Sequence, residues 1–90
     1  MDFKNETNRI YSLDSTGKLL AEVTFPNIDD HTVDINHTFV DDSLRGQGVA
    51  NKLMELVVDQ LRAQKKRAVL TCSYAVRWFD KHPEYDNLLR

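Results

Sequence analysis

Between residues 31 and 40, HTVDINHTFV, one set of side chains alternates with another: Val33, Ile35, His37 and Phe39 against Asp34, Asn36 and Thr38. A period of two over that length predicts a single half-buried strand. Two earlier runs, 9–13 (RIYSL) and 18–25 (KLLAEVTF), read as the arms of a hairpin around Asp14-Ser15-Thr16-Gly17, whose residue types favour a turn. Pro26-Asn27 and Asp29-Asp30 break the chain before the third run, so the three predict an antiparallel meander. Past Gln47 the period changes. Val49, Leu53, Leu56, Val57 and Leu61 recur at helical spacing, with Asn51, Glu55, Asp59 and Arg62 on the other faces, which predicts a helix from 47 to about 65. The short apolar run 68–72 (AVLTC) suits a strand. Strand, helix and strand make a βαβ unit, so its two strands should be parallel with a right-handed crossover. A second helix is expected over 74–81, pairing Tyr74 with Trp78 at i, i+4 and stopped by Pro83, with one more turn over 84–89.

Bulk properties narrow the functional classes. At 90 residues the sequence predicts one domain over residues 1–90 with a modest core. Its 41% hydrophobic and 29% charged residues are an ordinary folded mix. The net charge of −2 supplies no field for nucleic acid. Lys65, Lys66 and Arg67, the one basic cluster, fall where the long helix ends and there offset the negative end of its dipole. Residues 1–6 lack the apolar centre of a signal peptide, and no run approaches membrane-spanning length. The single Cys72 cannot close an intramolecular disulfide, and no paired-cysteine metal spacing exists. A reducing, cytoplasmic location without membrane contact is the expectation.

Two of the three glycines, Gly46 and Gly48, stand in SLRGQGVA (43–50) at the strand-to-helix junction. The first amides of a helix are unpaired and carry the positive end of its dipole, which together attract an anion. Glycines let phosphate oxygens approach the backbone, and Arg45 adds a fixed charge. The P-loop pattern fails because Lys52 is misplaced, and the dinucleotide pattern fails because position 51 is Asn. Spacing alone leaves two readings open, a plain turn and a phosphate cradle.

Arg45-Gly46-Gln47-Gly48-Val49-Ala50 resembles the R/Q-x-x-G-x-G/A signature with which GNAT-type acetyltransferases hold the pyrophosphate of coenzyme A. Asn36-His37-Thr38 upstream, Cys72-Ser73-Tyr74 downstream and His82-Pro83-Glu84-Tyr85 near the end complete a likeness to the minimal, single-cysteine GNAT family. The likeness runs from about Arg9 to Leu88. Ser73 stands where the family usually has Pro, and Lys66-Arg67 where a Gly often ends the first helix. The resemblance implies an α/β, truncated GNAT fold: an antiparallel three-strand meander, then a βαβ unit with a splayed parallel strand pair, then a C-terminal helix.

It also implies an acetyl-CoA-dependent N-acetyltransferase. Coenzyme A would lie with pantetheine between Thr38-Phe39-Val40 and Thr71-Cys72. Backbone amides near Phe39 and Val40 would hold it, and the backbone of Arg45, Gly46, Gln47, Gly48, Val49 and Ala50 would bind pyrophosphate. Ser73, Tyr74 and Phe79 would flank the cofactor. Cys72 has two open roles, nucleophile accepting the acetyl group and acid protonating the departing thiolate. His37 has two as well, a satisfied structural histidine and a base for Cys72 or an incoming ammonium. Tyr74 is the fallback acid. His82 is expected to cap or pack the helix end, and nothing in the spacing supports a metal site of His37, Cys72 and His82. The elements that wall the acceptor in full-size relatives have no room here. The expected acceptor is therefore an amine on a protein lysine, a peptide or a small polyamine, and the chain is expected as a monomer or weak homodimer. A non-catalytic coenzyme A binding module is the competing class.

Overall fold

The computed structural model describes every residue, Met1–Arg90. Seven strands and two helices follow in order: β1 Lys4–Glu6, β2 Arg9–Leu13, β3 Leu19–Thr24, β4 Asn27–Asp29, β5 Thr32–Ile35, β6 His37–Val40, α1 Val49–Gln64, β7 Arg67–Leu70 and α2 Ser73–Asp80. Short 3-10 turns cover Asp42–Leu44 and Pro83–Leu88. None of the helices is long and apolar enough to cross a membrane.

The expected mixed α/β order is present, with one correction to the third strand. Residues 31–40 form two strands, not one. β5 runs parallel to β7, pairing Thr32 with Arg67 through Ile35 with Leu70. β6 instead pairs antiparallel with β3, from Thr24–His37 to Ala21–Val40. The break is a bulge at Asn36. Asn36 N–H donates to the Thr24 carbonyl at 3.2 Å, so Asn36 and His37 both face one residue of β3. The Thr24 hydroxyl donates to Asn36 Oδ1 at 2.6 Å and holds the bulge. One inserted residue reverses the alternation. Val33 and Ile35 are buried as expected, but Thr38 and Val40 then turn towards the core while His37 and Phe39 become exposed. The meander therefore contains β2, β3 and β6, extended at one edge by β1, and β4 adds to the other sheet.

Helix α1 buries Val49, Leu53, Met54, Val57, Val58 and Leu61. A helix of its length is marginal alone in water, so this face must pack to hold it. It lies on β2, β3 and β6, while α2 lies on β7 and touches α1. Both helices thus cover one face of the strands, and Ile10, Ala21, Val23, Val33, Ile35 and Ala68 join their buried residues in one core cluster. The opposite face, bearing Arg9, Tyr11, Glu22, His37 and Phe39, has no helix over it.

The HPEY segment closes the far end. Trp78 is buried in α2, stacked on the His82 ring with centroids 4.0 Å apart and set edge-on to Phe79 at 5.1 Å. His82 Nδ1 donates to the Trp78 carbonyl at 2.7 Å, capping the helix end, and Tyr85 stacks on Trp78 while Arg62 of α1 lies over the Tyr85 ring. This is a clamp between the two helices.

Candidate active site

The loop between β6 and α1 is built around Asp41. Its carboxylate accepts from the Ser43 hydroxyl (2.6 Å) and the Ser43 N–H (3.1 Å) and lies 3.4 Å from Lys18 Nζ. The Ser43 bonds foremost hold the Asp41 pKa below the ordinary carboxylate value. The loop then passes through Gly46 (φ 76°) and Gly48 (φ 71°), left-handed backbone that a side chain would strain. Gly48 is the N-cap of α1, with no side-chain cap bond.

That geometry leaves amides free. The first helical bond of α1 is from Lys52 N–H to the Gly48 carbonyl at 3.0 Å. The N–H groups of Gly46, Gly48, Val49, Ala50 and Asn51 donate to no acceptor in the chain. Together with the helix dipole they form a concave donor set that matches a phosphate group. Arg45 reaches Asp42 at 3.0 Å, but this exposed ion pair is worth little and leaves the guanidinium available. A cavity of about 260 Å³ opens here, lined by Val40, Leu44, Arg45, Gly46, Gly48, Val49, Ala50, Asn51 and Tyr74. Apolar walls beside a row of free amides fit a chain that is anionic at one end and uncharged along its length, as coenzyme A is. Asn51 is itself fixed, its Oδ1 accepting from Trp78 Nε1 at 2.7 Å.

The strands open next to this cavity. The ladder between β5 and β7 ends where the Ile35 carbonyl accepts from both Thr71 N–H (3.2 Å) and Cys72 N–H (3.1 Å). Beyond that point β6 follows β3 and β7 passes into α2, so no ladder joins β6 to β7. Asp41 N–H donates to the Leu20 carbonyl at 2.8 Å. Bonded pairs in an antiparallel ladder recur every second residue, so Phe39 pairs with Glu22 while Thr38 and Val40 turn their amides into the opening.

Cys72 stands at that opening as the N-cap of α2. Its Sγ lies 3.4 Å from Thr38 Oγ1; the thiol donates in this bond and the thiolate accepts. Burial pushes the Cys72 thiol up, but bonds from the Thr38 hydroxyl and from the N–H groups of Ala75, Tyr74 and Thr38 outweigh it, so its pKa is lowered. Burial keeps the neighbouring Tyr74 phenol protonated, its pKa raised. Thr38→Val preserves shape and removes the hydroxyl bond. We expect it to slow alkylation of Cys72 by iodoacetamide near neutral pH by about tenfold, the worth of one hydrogen bond to a charged group. An unchanged rate would show that the hydroxyl does not support the thiolate.

The structure separates the remaining residues singled out in the sequence. Val40, Arg45, Gly46, Gly48, Val49, Ala50 and Tyr74 share the cavity. Gln47 and Ser73 are exposed beside it, and Phe79 is buried in the core. His37 and the Phe39 side chain lie on the uncovered face of the sheet. His37 Nε2 is 3.2 Å from Glu22 Oε1, and its ring makes no bond with Cys72. Sequence reading missed Leu44 and Asn51 in the cavity, Thr38 as the partner of Cys72 and Glu22 as the partner of His37. Thr38 and Glu22 carry no local signal, because the bulge and the β3–β6 register create both contacts.

Comparison with known proteins gives a consistent result. The profile of the GCN5-related N-acetyl-transferase family matches residues 9–88. A GCN5-like protein of Staphylococcus aureus, whose solution structure is known from NMR, superposes with a TM-score of 0.82 and is 32% identical, covering 99% of this chain and 87% of that one. Protein NATD1 of Xenopus tropicalis is 32% identical over 63 residues, which are 70% of this chain and 58% of that protein. The matched segment thus spans less than two thirds of the curated relatives. A GNAT family acetyltransferase of Elizabethkingia anophelis, solved with acetyl-CoA bound, shares the fold at a TM-score of 0.64 and 13% identity, over 82% of this chain and 51% of that one.

Proposed function

Because this chain belongs to the GCN5-related N-acetyltransferase family, whose members use acetyl-CoA, we propose that it moves an acetyl group from acetyl-CoA to an amine by way of Cys72. The observation that carries this reading is the row of unpartnered amides from Gly46 to Asn51 beside an apolar cavity. Acetyl-CoA supplies an acetyl group activated as a thioester. The amides of Gly46, Gly48, Val49, Ala50 and Asn51, with Arg45, hold the pyrophosphate. Val40 offers its amide to the oxygen of the thioester carbonyl at the head of the pantetheine arm, while the Thr38 amide faces the Cys72 sulfur. Tyr74 lines the arm. The lowered thiol pKa favours Cys72 as the nucleophile over an acid role.

In the first step Cys72 Sγ forms a bond to the acetyl carbon, and the bond from that carbon to the sulfur of coenzyme A breaks. The departing thiolate takes a proton from solvent. In the second step the neutral amine nitrogen bonds to the acetyl carbon, the bond from that carbon to Cys72 Sγ breaks to release the thiolate, and the remaining extra proton on nitrogen passes to water to leave the amide. An amine protonated at neutral pH must first lose a proton, and His37 is the base on the uncovered face. With no element over that face, the acceptor side is open and suits a lysine side chain, a peptide or a polyamine. A second copy of the chain, in a weak homodimer, is the candidate for any further wall. The free thiol fits a reducing cytoplasm.

A thermal-shift titration tests the binding step. Acetyl-CoA at a hundred times its Kd should stabilise the native state by about 2.7 kcal/mol, which for a domain of this size raises Tm by roughly 10–20 °C. No shift at millimolar acetyl-CoA would end the cofactor reading. A shift without acetyl transfer to any of a lysine peptide, an N-terminal peptide or spermidine would leave a binding module.

A further inference from the structure

On the uncovered face of the sheet, three side chains from three strands form one polar row. Glu22 of β3 is only 16% exposed, and both its oxygens are engaged. Oε2 accepts from Arg9 Nε at 2.6 Å, and Oε1 lies 3.2 Å from His37 Nε2. Arg9 is held in turn by the Tyr11 ring, 3.8 Å from its guanidinium carbon, and by Glu6 at 3.5 Å. An ionised carboxylate only accepts hydrogen bonds. The adjacent guanidinium gives Glu22 a fixed orientation. A proton on Nε2 faces this carboxylate whereas a lone pair there would be repelled by it, so the 3.2 Å approach favours the neutral His37 ring with its proton on Nε2 and its lone pair on Nδ1.

We propose that Glu22 is a positioning residue for acetyl transfer: it fixes the His37 tautomer so that Nδ1 is the basic atom offered to the acceptor. This rests on the reading of His37 as the acceptor's base. The N–H bond of the incoming ammonium breaks and an Nδ1–H bond forms. The resulting imidazolium is balanced by Glu22, and its proton then passes to water. The neighbouring residue Thr38 touches Cys72, and no ladder closes the strands at that point. An amine arriving over His37 thus meets the opening in which the acetyl group is held. The arrangement is a carboxylate orienting an imidazole through one ring nitrogen while the other does the chemistry.

Two measurements on the full chain test this. Long-range proton–nitrogen NMR of the His37 ring should show the tautomer with hydrogen on Nε2, and a ring protonated on Nδ1 alone would overturn the proposal without any variant. In kinetics with a lysine peptide, Glu22→Gln should lower kcat/KM by roughly ten- to a hundredfold, and His37→Ala by about a hundredfold or more. In the His37→Ala background, Glu22→Gln should change kcat/KM less than about twofold, because the carboxylate acts through the ring. A loss as large in that background as in the native chain would make Glu22 merely structural and overturn the proposal. A rate that depends on His37 but ignores Glu22→Gln would overturn it alone, whereas full activity of His37→Ala would remove the base reading together with it.

Discussion

Incubation with acetyl-CoA is expected to add one acetyl group to the native chain, and Cys72→Ala is expected to abolish the adduct and to slow acetyl transfer by about a thousandfold or more. Cys72 is the sole cysteine, so an adduct lost with it has one assignment. The size of the effect follows from what surrounds the sulfur. The N–H groups of Tyr74 and Ala75 in the first turn of α2 point at it, and the Thr38 hydroxyl and amide reach it from β6. These donors act on the charged form. The pH dependence has a definite sign. A thiol whose folded pKa is lowered reacts as thiolate at lower pH than a free one, so acetylation should rise with pH and level off before the ordinary thiol range near 8.5. The same shift contributes stability that is fully present above the unfolded thiol pKa and is lost as pH falls through the folded one. The stability difference between native chain and Cys72→Ala should therefore grow as pH rises across that window. Intact mass, read with and without amine, decides between roles. An adduct that persists in Cys72→Ala would remove the nucleophile assignment. Loss of transfer with no adduct at any time would favour direct transfer, with the thiol as acid.

Much of this geometry is legible in the sequence because it is local. The RIYSL run coincides with β2, and α1, predicted from about 47 to 65, runs over Val49–Gln64, since five apolar residues at helical spacing leave few alternatives. SLRGQGVA can be read as a cradle from its own residues, because free amides and a helix start need no distant partner. The bulge at Asn36 is a different case. Asn36 occupies a polar position of an unbroken alternation, so nothing in residue type marks it. Only the pairing of Thr24 with both Asn36 and His37 reveals that the phase reverses. That reversal decides the site. It sends Thr38 rather than His37 towards Cys72, and it brings His37 to Glu22, fifteen residues earlier in the chain. Strands β1 and β4 were equally hidden, since each has three exposed residues and neither contributes to the core.

Gly48→Asp should abolish acetyl-CoA binding while leaving the fold nearly as stable as before. The φ of 71° at Gly48 costs a residue with a Cβ about 1–2 kcal/mol, although Asp tolerates this region better than most. A Cβ there would meet nothing within 4 Å, so no clash adds to that cost. Against it, a carboxylate at the N-cap of α1 faces amides that now lack acceptors; such a charge at a helix start contributes about 0.3–1 kcal/mol, and Asp caps a helix better than Gly by a few tenths more. The two contributions nearly cancel, and the denaturation midpoint should move little. Binding should respond far more strongly. The new carboxylate occupies the donor set proposed for pyrophosphate and repels it; two like charges about 4 Å apart near a surface oppose each other by about 4 kcal/mol. A loss of affinity on the order of a hundredfold or more is expected by calorimetric titration. Gly48→Asn is the matched comparison, similar in size and in tolerance of the left-handed region but uncharged, and it should lose only about tenfold. If Asp and Asn bind acetyl-CoA equally well, the amides of α1 do not hold its phosphates. If both lose affinity in step with stability, the effect belongs to the turn itself. Only a deficit specific to the charge, on an intact fold, places an anion at the head of this helix.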